Sequence, residues 1–276
     1  MHWHTTRFQI DLRQPQVMGI VNVTPDSFAD GGQHASTRLA LRHCEQLLQD
    51  GAHILDIGGE STRPGSPAVP LDEELARVLP VVRDAVTLGV PISVDTYKPE
   101  VMRAVLDAGA DIVNDIWALR RGHAAQVVAS HPSCGVCLMH MHRDPQTMQV
   151  APMEGDVLPG VGAFLGERAA ALRALGVVPD RIVVDPGIGF GKTVAQNFSL
   201  LDRQAELLTL GYPLLAGWSR KSSLGAVTGR ELPADRVAAS VAAALLAVDR
   251  GARVVRVHDV RETVDAIRVW QAVQAG

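Results

Sequence analysis

Short apolar runs alternate with longer amphipathic stretches from one end of the chain to the other. Short runs rich in Val, Ile and Leu are typical of strands in a parallel sheet that is covered on both faces. The pattern predicts eight such strands, over residues 17–22, 53–57, 92–95, 112–115, 136–139, 182–185, 214–217 and 254–257. Apolar positions at helical spacing predict helices over residues 37–49, 72–88, 100–108, 163–175, 196–208 and 234–250, with a last helix over 260–269.

The ends of the predicted helices support this pattern. A Gly-Ala or Gly-Val pair begins at positions 51, 89, 109, 176 and 251. Because glycine adopts the left-handed backbone conformation at little cost, such pairs mark the turn between a helix and the next strand. Eight strands with helical crossovers favour a closed (β/α)₈ TIM barrel, one domain over residues 1–276. The alternative, an open doubly wound sheet, usually has fewer strands and a glycine-rich first turn.

The composition narrows the classes of function. Apolar residues make up 47% of the chain, which is enough for a large core, and the net charge of -4 provides no basic field for nucleic acid. The longest apolar run, residues 237–248, is shorter than the roughly 18 residues that a membrane span needs. Residues 1–7 lack the apolar segment of a secretory signal, so we expect a cytoplasmic protein without membrane or nucleic-acid partners.

Three motifs resemble other kinds of site but are better explained otherwise. Cys134 and Cys137 form a C-x-x-C pair, yet no second pair completes a zinc site, so free thiols at a strand edge are predicted. The imidazoles of His140 and His142 alternate in direction along an extended segment, which favours structural or substrate contacts over a metal site. The loop over residues 186–193 begins with proline where a Walker phosphate loop requires glycine.

Polar residues stand where most of the predicted strands end. They are Asn22, Asp56, Asp95, Thr96, Asn114, Asp115, His140, Asp185, the segment 219–221, Arg256 and His258. The carboxyl ends of barrel strands lie on one face, so these side chains are predicted to surround one pocket. Any one of them could be a helix cap or a satisfied polar group, but the whole set predicts an active site at this face.

Three positions in this set indicate the kind of ligand. The two carboxylate oxygens of Asp185, which precedes a glycine-rich loop, match the adjacent N–H donors of a guanidine-like edge, as in a pterin or guanine ring. Lys221 lies among other donors, which suits an anion or a carbonyl; a solvated basic loop is the alternative. Arg256 and His258 face the same way along the last strand, where barrels commonly bind phosphate.

Motifs spread along the chain carry a resemblance to the dihydropteroate synthase family. They are MGIVNVTPDSFADGG, ILDIGGESTRPGS, ISVDT followed after one residue by KPE, IVNDI, LMHM, DPGIGFGK, SRKS and RVHDVRET. The similarity runs from about residue 17 to residue 269. It implies a transferase of folate biosynthesis that condenses dihydropterin hydroxymethyl diphosphate with para-aminobenzoate by an SN1-like displacement. It also implies Mg²⁺ as cofactor, a homodimer and the enzyme class that sulfonamides target.

The resemblance also implies roles for individual residues. The pterin pocket would comprise Asp95, Asn114, Asp185 and Lys221. Diphosphate contacts would fall to Asn22, Ser61, Thr62, Arg63, Arg256 and His258, with Asn22 next to the metal. Para-aminobenzoate would lie against Phe28, Thr62, Pro64, Phe190 and Ser222, on two loops over residues 23–32 and 58–66. The catalytic residues would be Asp95, Asp185, Lys221, Arg256 and the loop carboxylate of Asp30.

The chain departs from the family pattern at three aromatic residues. Tyr97 stands where a small residue is common, and Trp117 and Trp218 are larger than the pattern leads one to expect. All three are expected to alter packing near the pocket, and Tyr97 could crowd the pterin site.

Two alternative functions follow from the same motifs. A methyltetrahydrofolate-dependent methyltransferase shares the ring contacts, but its methyl donor has no diphosphate for Arg63, Arg256 and His258 to bind. A paralogue that binds a pterin without turnover is expected to have lost residues such as Asp95, Lys221 or Arg256, and all three are present.

Overall fold

The computed structural model of the chain describes residues 1–24, 32–61 and 65–275. A short antiparallel hairpin, β1 (His2–His4) and β2 (Gln9–Asp11), precedes the remaining strands. These are β3 (Gln16–Asn22), β4 (Ile54–Gly58), β5 (Ile92–Asp95), β6 (Ile112–Asp115), β7 (Gly135–Met139), β8 (Ile182–Asp185), β9 (Leu214–Ala216) and β10 (Ala252–Val257). They pair in parallel in the order β3 to β10 and close into a barrel where β10 meets β3. The eight predicted strands and the (β/α)₈ fold class are confirmed.

Helices surround the barrel. They are α1 (Gly32–Gln49), α2 (Leu71–Ala85), α3 (Pro99–Asp107), α4 (Ala124–Ser130), α5 (Leu158–Ala174), α6 (Val194–Asp202), α7 (Ser222–Thr228), α8 (Val237–Asp249) and α9 (Val260–Gln274). The glycines predicted to end helices, at positions 51, 89, 109, 176 and 251, all have positive φ, between +76° and +99°. In the described part of the chain, no helix combines the length and hydropathy that crossing a bilayer requires.

Alternation along the strands divides the barrel interior into an apolar floor and a polar mouth. Every second side chain of a strand faces inward, so Ile54 lies below Asp56 on β4, and Val254 lies below Arg256 on β10. The floor is one apolar cluster that contains Met18, Ile54, Ile112, Cys137, Val183, Leu215 and Val254. On β4, β6, β8 and β10 the next inward positions toward the carboxyl ends are charged or amide residues, which form the mouth: Asp56, Asn114, Asp185 and Arg256.

The hairpin of β1 and β2 closes the end of the barrel opposite the mouth. Trp3 is fully buried in the floor cluster, and its indole N–H donates to the carbonyl oxygen of Arg181 at 3.0 Å. Strands of three residues are too short to give a periodic signal, which is why the sequence pattern does not predict this hairpin.

The two cysteines of the C-x-x-C pair belong to different layers of the fold. Cys134 packs between the barrel and the helices, whereas Cys137 lies inside the barrel rather than at a strand edge. Both are buried free thiols, and so is Cys44. Burial raises the pKa of all three thiols, which disfavours the thiolate that redox or metal chemistry needs.

Candidate active site

Four strands bring charged and amide side chains into one hydrogen-bonded network at the mouth of the barrel. Arg256 is its centre: Nε donates to Asp56 Oδ2 at 2.6 Å, and Nη2 donates to Asp95 Oδ2 at 2.9 Å. Asn114 Nδ2 donates to the same oxygen of Asp56 at 3.2 Å. The structure therefore joins two residues predicted for the pterin ring, Asp95 and Asn114, to the arginine predicted for the diphosphate.

Asp56 is a member of this network that the sequence marks only as a polar strand end. Its side chain is fully buried, two residues beyond Ile54 on the inward face of β4. Because it accepts hydrogen bonds from both Arg256 and Asn114, it orients two side chains of the predicted site. The one sign of this role in the sequence is an acidic residue within the apolar run ILDIG. The partners of Asp56 come from distant parts of the chain, so the sequence pattern does not reveal them.

Two carboxylate oxygens of the network, Asp56 Oδ1 and Asp95 Oδ1, have no donor among the described residues. Leaving a buried acceptor unbonded costs about 1–3 kcal/mol, so such atoms mark places where a ligand donor fits. Burial raises the pKa of Asp95 to about 7, with Arg256 opposing the rise and Asp56 adding to it. An N–H donor on a bound ring would stabilise the carboxylate form and lower this pKa again.

The ends of β8 and β9 supply the other side of the mouth. Asp185 Oδ1 accepts the backbone N–H of Gly187 at 2.7 Å, and burial raises the pKa of this carboxyl against the effect of Lys221. Lys221 Nζ donates to the carbonyl oxygen of Ile188 and lies 4.9 Å from the ring centroid of Phe190. Burial lowers the pKa of Lys221 to about 8, opposed by Asp185.

A serine contacts His258 twice at the end of β10. The backbone N–H of His258 donates to Ser219 Oγ at 3.0 Å, and this oxygen lies 2.9 Å from Nδ1 of the same histidine. Ser219 Oγ can donate to Nδ1 or accept from it, according to the tautomer of the ring. The two contacts fix the ring of His258 relative to the segment after β9.

The remaining predicted site residues lie around the mouth or outside the described residues. Asn22 ends β3 and is half-buried, and Ser61 is half-buried and accepts a hydrogen bond from Ser66 at 3.0 Å. Phe190 is half-buried, and Ser222 is exposed as the first residue of α7. Five predicted residues lie outside the described residues: Phe28, Asp30, Thr62, Arg63 and Pro64.

The donor set at the mouth fits a magnesium ion that arrives with a phosphorylated substrate. No group of three or more His, Cys, Asp or Glu residues in the described ranges could hold a metal ion. Mg²⁺ usually keeps several waters and takes one or two protein oxygens together with substrate phosphate oxygens. The amide oxygen of Asn22 would be one such ligand, whereas the carboxylates of Asp56 and Asp95 already pair with Arg256.

Two of the three unusual aromatic residues lie at the rim, and the third lies in the core. Tyr97 donates from its hydroxyl to Glu60 Oε1 at 2.8 Å, and its ring meets that of Trp117 edge-on, with centroids 6.4 Å apart. Both rings line a rim cavity of about 320 Å³, whose walls include no carboxylate of the network. Trp218 is buried beside Phe198 in the core cluster that also contains Ile188 of the loop after β8.

A strained turn after β6 positions Trp117. Ala118 and Leu119 have φ of +50° and +59°, a region that costs about 1–3 kcal/mol for each residue with a side chain. The fully buried carboxylate of Asp115 accepts the backbone N–H groups of Trp117 at 2.8 Å and Leu119 at 2.7 Å. Asp115 therefore holds together the turn that forms this part of the rim.

Replacing Asp115 by asparagine is expected to destabilise the protein more at pH 5 than at pH 7.5. Burial raises the pKa of Asp115 to about 7, although its two N–H donors lower it. A carboxyl with a raised pKa contributes stability below its unfolded pKa and loses it as pH rises through the folded pKa. Asparagine does not titrate. The difference in free energy of unfolding between the native protein and the variant should therefore shrink by about 2 kcal/mol from pH 5 to pH 7.5. Denaturant unfolding of both proteins at both pH values tests this. A difference in free energy of unfolding that grows with pH would contradict the prediction.

Comparison with known proteins identifies the family of the chain. Residues 18–258 match the family described as pterin binding enzyme. Dihydropteroate synthase of Neisseria meningitidis serogroup B is 49% identical over 98% of this chain and 97% of its own length. A structure of the Xanthomonas albilineans dihydropteroate synthase with 4-aminobenzoic acid has a TM-score of 0.94 and 52% identity, covering 100% of both chains. The Burkholderia cenocepacia enzyme complexed with 7,8-dihydropteroate has a TM-score of 0.91 and 52% identity, covering 99% of this chain and 96% of its own.

The family match and the barrel define the class of protein, a pterin-binding barrel enzyme. The relatives are about half identical to the chain over nearly its whole length, which also shows the family within this class. The chain belongs to the dihydropteroate synthase family, and it is a transferase. The resemblance carried by the sequence motifs is thereby confirmed.

Proposed function

We propose that this protein condenses dihydropterin hydroxymethyl diphosphate with para-aminobenzoate, giving dihydropteroate and pyrophosphate in folate biosynthesis. The observation that carries the proposal is the convergence of ring acceptors and cations on one barrel mouth: Asp95, Asn114, Asp185, Lys221 and Arg256. The arylamine and the dihydropteroate bound by the two related proteins support both halves of the reaction.

The pterin ring is proposed to lie between the two acidic sides of the mouth. Asp95 offers a buried oxygen that lacks a donor within the described ranges, and Asp185 offers a second carboxylate across the mouth. Adjacent N–H groups of the ring pair with such oxygens. Lys221 then faces the ring carbonyl and N5, two acceptors to which an ammonium group can donate hydrogen bonds.

Bond breaking to the diphosphate is proposed to come before attack by the arylamine. An arylamine is neutral at pH 7 and needs little help from a base, so loss of pyrophosphate from the methylene carbon is the harder step. In this SN1-like route the carbon–oxygen bond breaks, its electron pair leaves with pyrophosphate, and the amine nitrogen then bonds the carbon and loses a proton. Asp95, Asp185 and the loop carboxylate of Asp30 favour the developing positive charge on the pterin.

The leaving diphosphate is proposed to meet Arg256, His258 and the residues Ser61, Thr62 and Arg63. Although burial opposes it, the carboxylates of Asp56 and Asp95 raise the pKa of Arg256, so its charge is permanent. Asn22 would hold Mg²⁺, which when bound neutralises charge on the diphosphate. Arg256 thus stabilises the side of the reaction on which negative charge develops.

The para-aminobenzoate site is proposed at the outer side of Lys221. The ring of Phe190 packs against the apolar cluster that contains Met139, Met141 and Met148, which forms an apolar wall next to the lysine. Ser222 begins α7 beside it, and Phe28, Thr62 and Pro64 would complete the site. Sulfonamides are proposed to compete for this position.

The protein is proposed to act as a homodimer in the cytoplasm. Its last two helices expose apolar side chains, among them Leu246, Val269 and Val273, which are 45%, 65% and 72% exposed. Apolar side chains that repeat on neighbouring helices suit a two-fold contact between identical chains.

The test of the proposed function is pyrophosphate release from the purified protein supplied with dihydropterin hydroxymethyl diphosphate and Mg²⁺. We expect release coupled to dihydropteroate when para-aminobenzoate is present, and removal of Mg²⁺ by a chelator should lower the rate at least about 100-fold. Slow release without the amine would support the SN1-like order. Tight pterin binding without product would favour a non-catalytic paralogue, and methyl transfer from methyltetrahydrofolate would favour the methyltransferase.

A further inference from the structure

Lys192 is a buried lysine near the end of the loop that joins β8 to α6. It is 2% exposed, and three acceptors surround its Nζ: His140 Nδ1 at 2.9 Å, the carbonyl oxygen of Gly187 at 2.8 Å and that of Phe190 at 3.2 Å. Burying an ammonium group is costly unless its protons are bonded. Burial lowers the pKa of Lys192 to about 7, opposed by Asp185, so the charged form depends on these acceptors.

The choice of lysine at this position is specific. The chain has three lysines among its 26 basic residues, and Lys98, Lys192 and Lys221 all follow the carboxyl ends of barrel strands. An ammonium group directs three donors from one atom, whereas the guanidinium of arginine is a planar fork. Three acceptors around one point therefore fit lysine better than arginine.

The loop that Lys192 binds contacts two residues of the proposed pterin site. Gly187 donates its N–H to Asp185, and the carbonyl of the next residue accepts a bond from Lys221. The ring of Phe190 also lies beside the Lys221 ammonium. By binding the carbonyls of Gly187 and Phe190, Lys192 fixes the loop on both sides of these contacts.

The same loop is packed tightly against the segment that follows β7. Gly187 has φ of +66°, and a Cβ there would lie 1.8 Å from the carbonyl oxygen of His140. A Cβ at Gly191 would lie 2.6 Å from Cβ of His142. The loop and this segment are therefore in close backbone contact, and the bond from Lys192 to His140 joins them through side chains.

His140 is suited to accept this bond because it is neutral. Burial lowers the pKa of His140 to about 2, and the charge of Lys192 adds to the effect. With Nδ1 as the acceptor, the ring proton is on Nε2. The ring packs edge-on against Phe164 with centroids 5.0 Å apart, which holds its orientation.

We propose that Lys192 is a positioning residue, which through the loop over residues 187–190 and through His140 sets the places of Asp185 and Lys221 around the pterin ring. This inference rests on the proposed function, since it concerns the same ring site. It assigns no contact between Lys192 and the substrate.

The test compares binding of 6-hydroxymethylpterin and of pyrophosphate with Mg²⁺, both measured by calorimetry. Lys192→Met keeps the length of the side chain and removes its donors. We expect its Kd for the pterin to rise at least about tenfold, while its Kd for pyrophosphate stays within about twofold of the native value. His140→Leu removes one of the three acceptors and should act in the same direction by about threefold. The double variant should resemble Lys192→Met alone, because both changes act on one network.

Arg181→Met is the matched control. Arg181 is also a buried cation, but it donates to the carbonyl of Cys134 at 2.7 Å at the opposite end of β8. It should lower the thermal midpoint without changing pterin affinity. Native pterin affinity in Lys192→Met, or equal weakening in Arg181→Met, would overturn the inference.

Two further readouts keep the inference separate from the proposed function. If Lys192→Met does not fold, His140→Leu decides, and unchanged pterin affinity in that variant overturns the inference. Dihydropteroate formation is assayed in the native protein in parallel. Absence of product there counts against the proposed function, whereas a normal Kd for the pterin in the variants counts against the positioning role alone.

Discussion

Replacement of Lys221 by alanine is expected to lower kcat/KM for the pterin substrate at least about 100-fold, which corresponds to about 2.7 kcal/mol of transition-state stabilisation. The side chain precedes α7 and donates to the loop carbonyl of Ile188 beside the ring of Phe190. Truncation removes a preorganised donor to the pterin ring. It also removes the cation that limits the rise in the pKa of Asp185 caused by burial. Without Lys221 the pKa of Asp185 should rise further, so less of it is ionised to accept the ring N–H groups.

The measurement is steady-state kinetics with both substrates varied, together with calorimetric binding of 6-hydroxymethylpterin. Lys221→Arg keeps the charge and should recover part of the activity, although the planar fork does not reproduce the position of Nζ. Arg230→Ala is the control, because Arg230 is an exposed cation just after α7. Near-native activity in Lys221→Ala, or an equal loss in Arg230→Ala, would remove Lys221 from the site.

The barrel could be predicted because its signals are local. Each strand is a short apolar run, and glycines at positions such as Gly51 and Gly251 adopt the positive φ that ends a helix. Elements without such signals were missed. The helices α4 and α7 have only seven residues each, and α7 contains Gly225 and two serines, which are weak helix formers.

The candidate site could be predicted as a set of strand ends but not as a network. Period-two alternation places Asp95 and Asn114 inward, and barrel geometry gathers them on one face. The pairing of Arg256 with Asp56 joins residues 200 positions apart, which no local pattern shows. The role of Lys192 could not be predicted either, because its acceptors are backbone carbonyls and a histidine that follows another strand.

Replacement of Arg256 by methionine is expected to lower kcat/KM about 1000-fold at pH 7, since it removes a cation on the diphosphate side and the partner of two buried carboxylates. A carboxylate left without its partner in a buried site takes up a proton. Arg256 lowers the pKa of Asp95, so its loss should move that pKa above the native value of about 7.

This shift gives the Arg256→Met variant a pH dependence of its own. At pH 7 a larger fraction of Asp95 would be protonated than in the native protein, and a protonated carboxyl no longer accepts both N–H groups of the ring. Between pH 7 and pH 9 the remaining activity should therefore rise more steeply in the variant than in the native protein. Arg261→Met serves as the control, because Arg261 pairs with Asp50 on the exposed surface of α9. Parallel pH profiles for Arg256→Met and the native protein would show that Arg256 does not set the ionisation of Asp95.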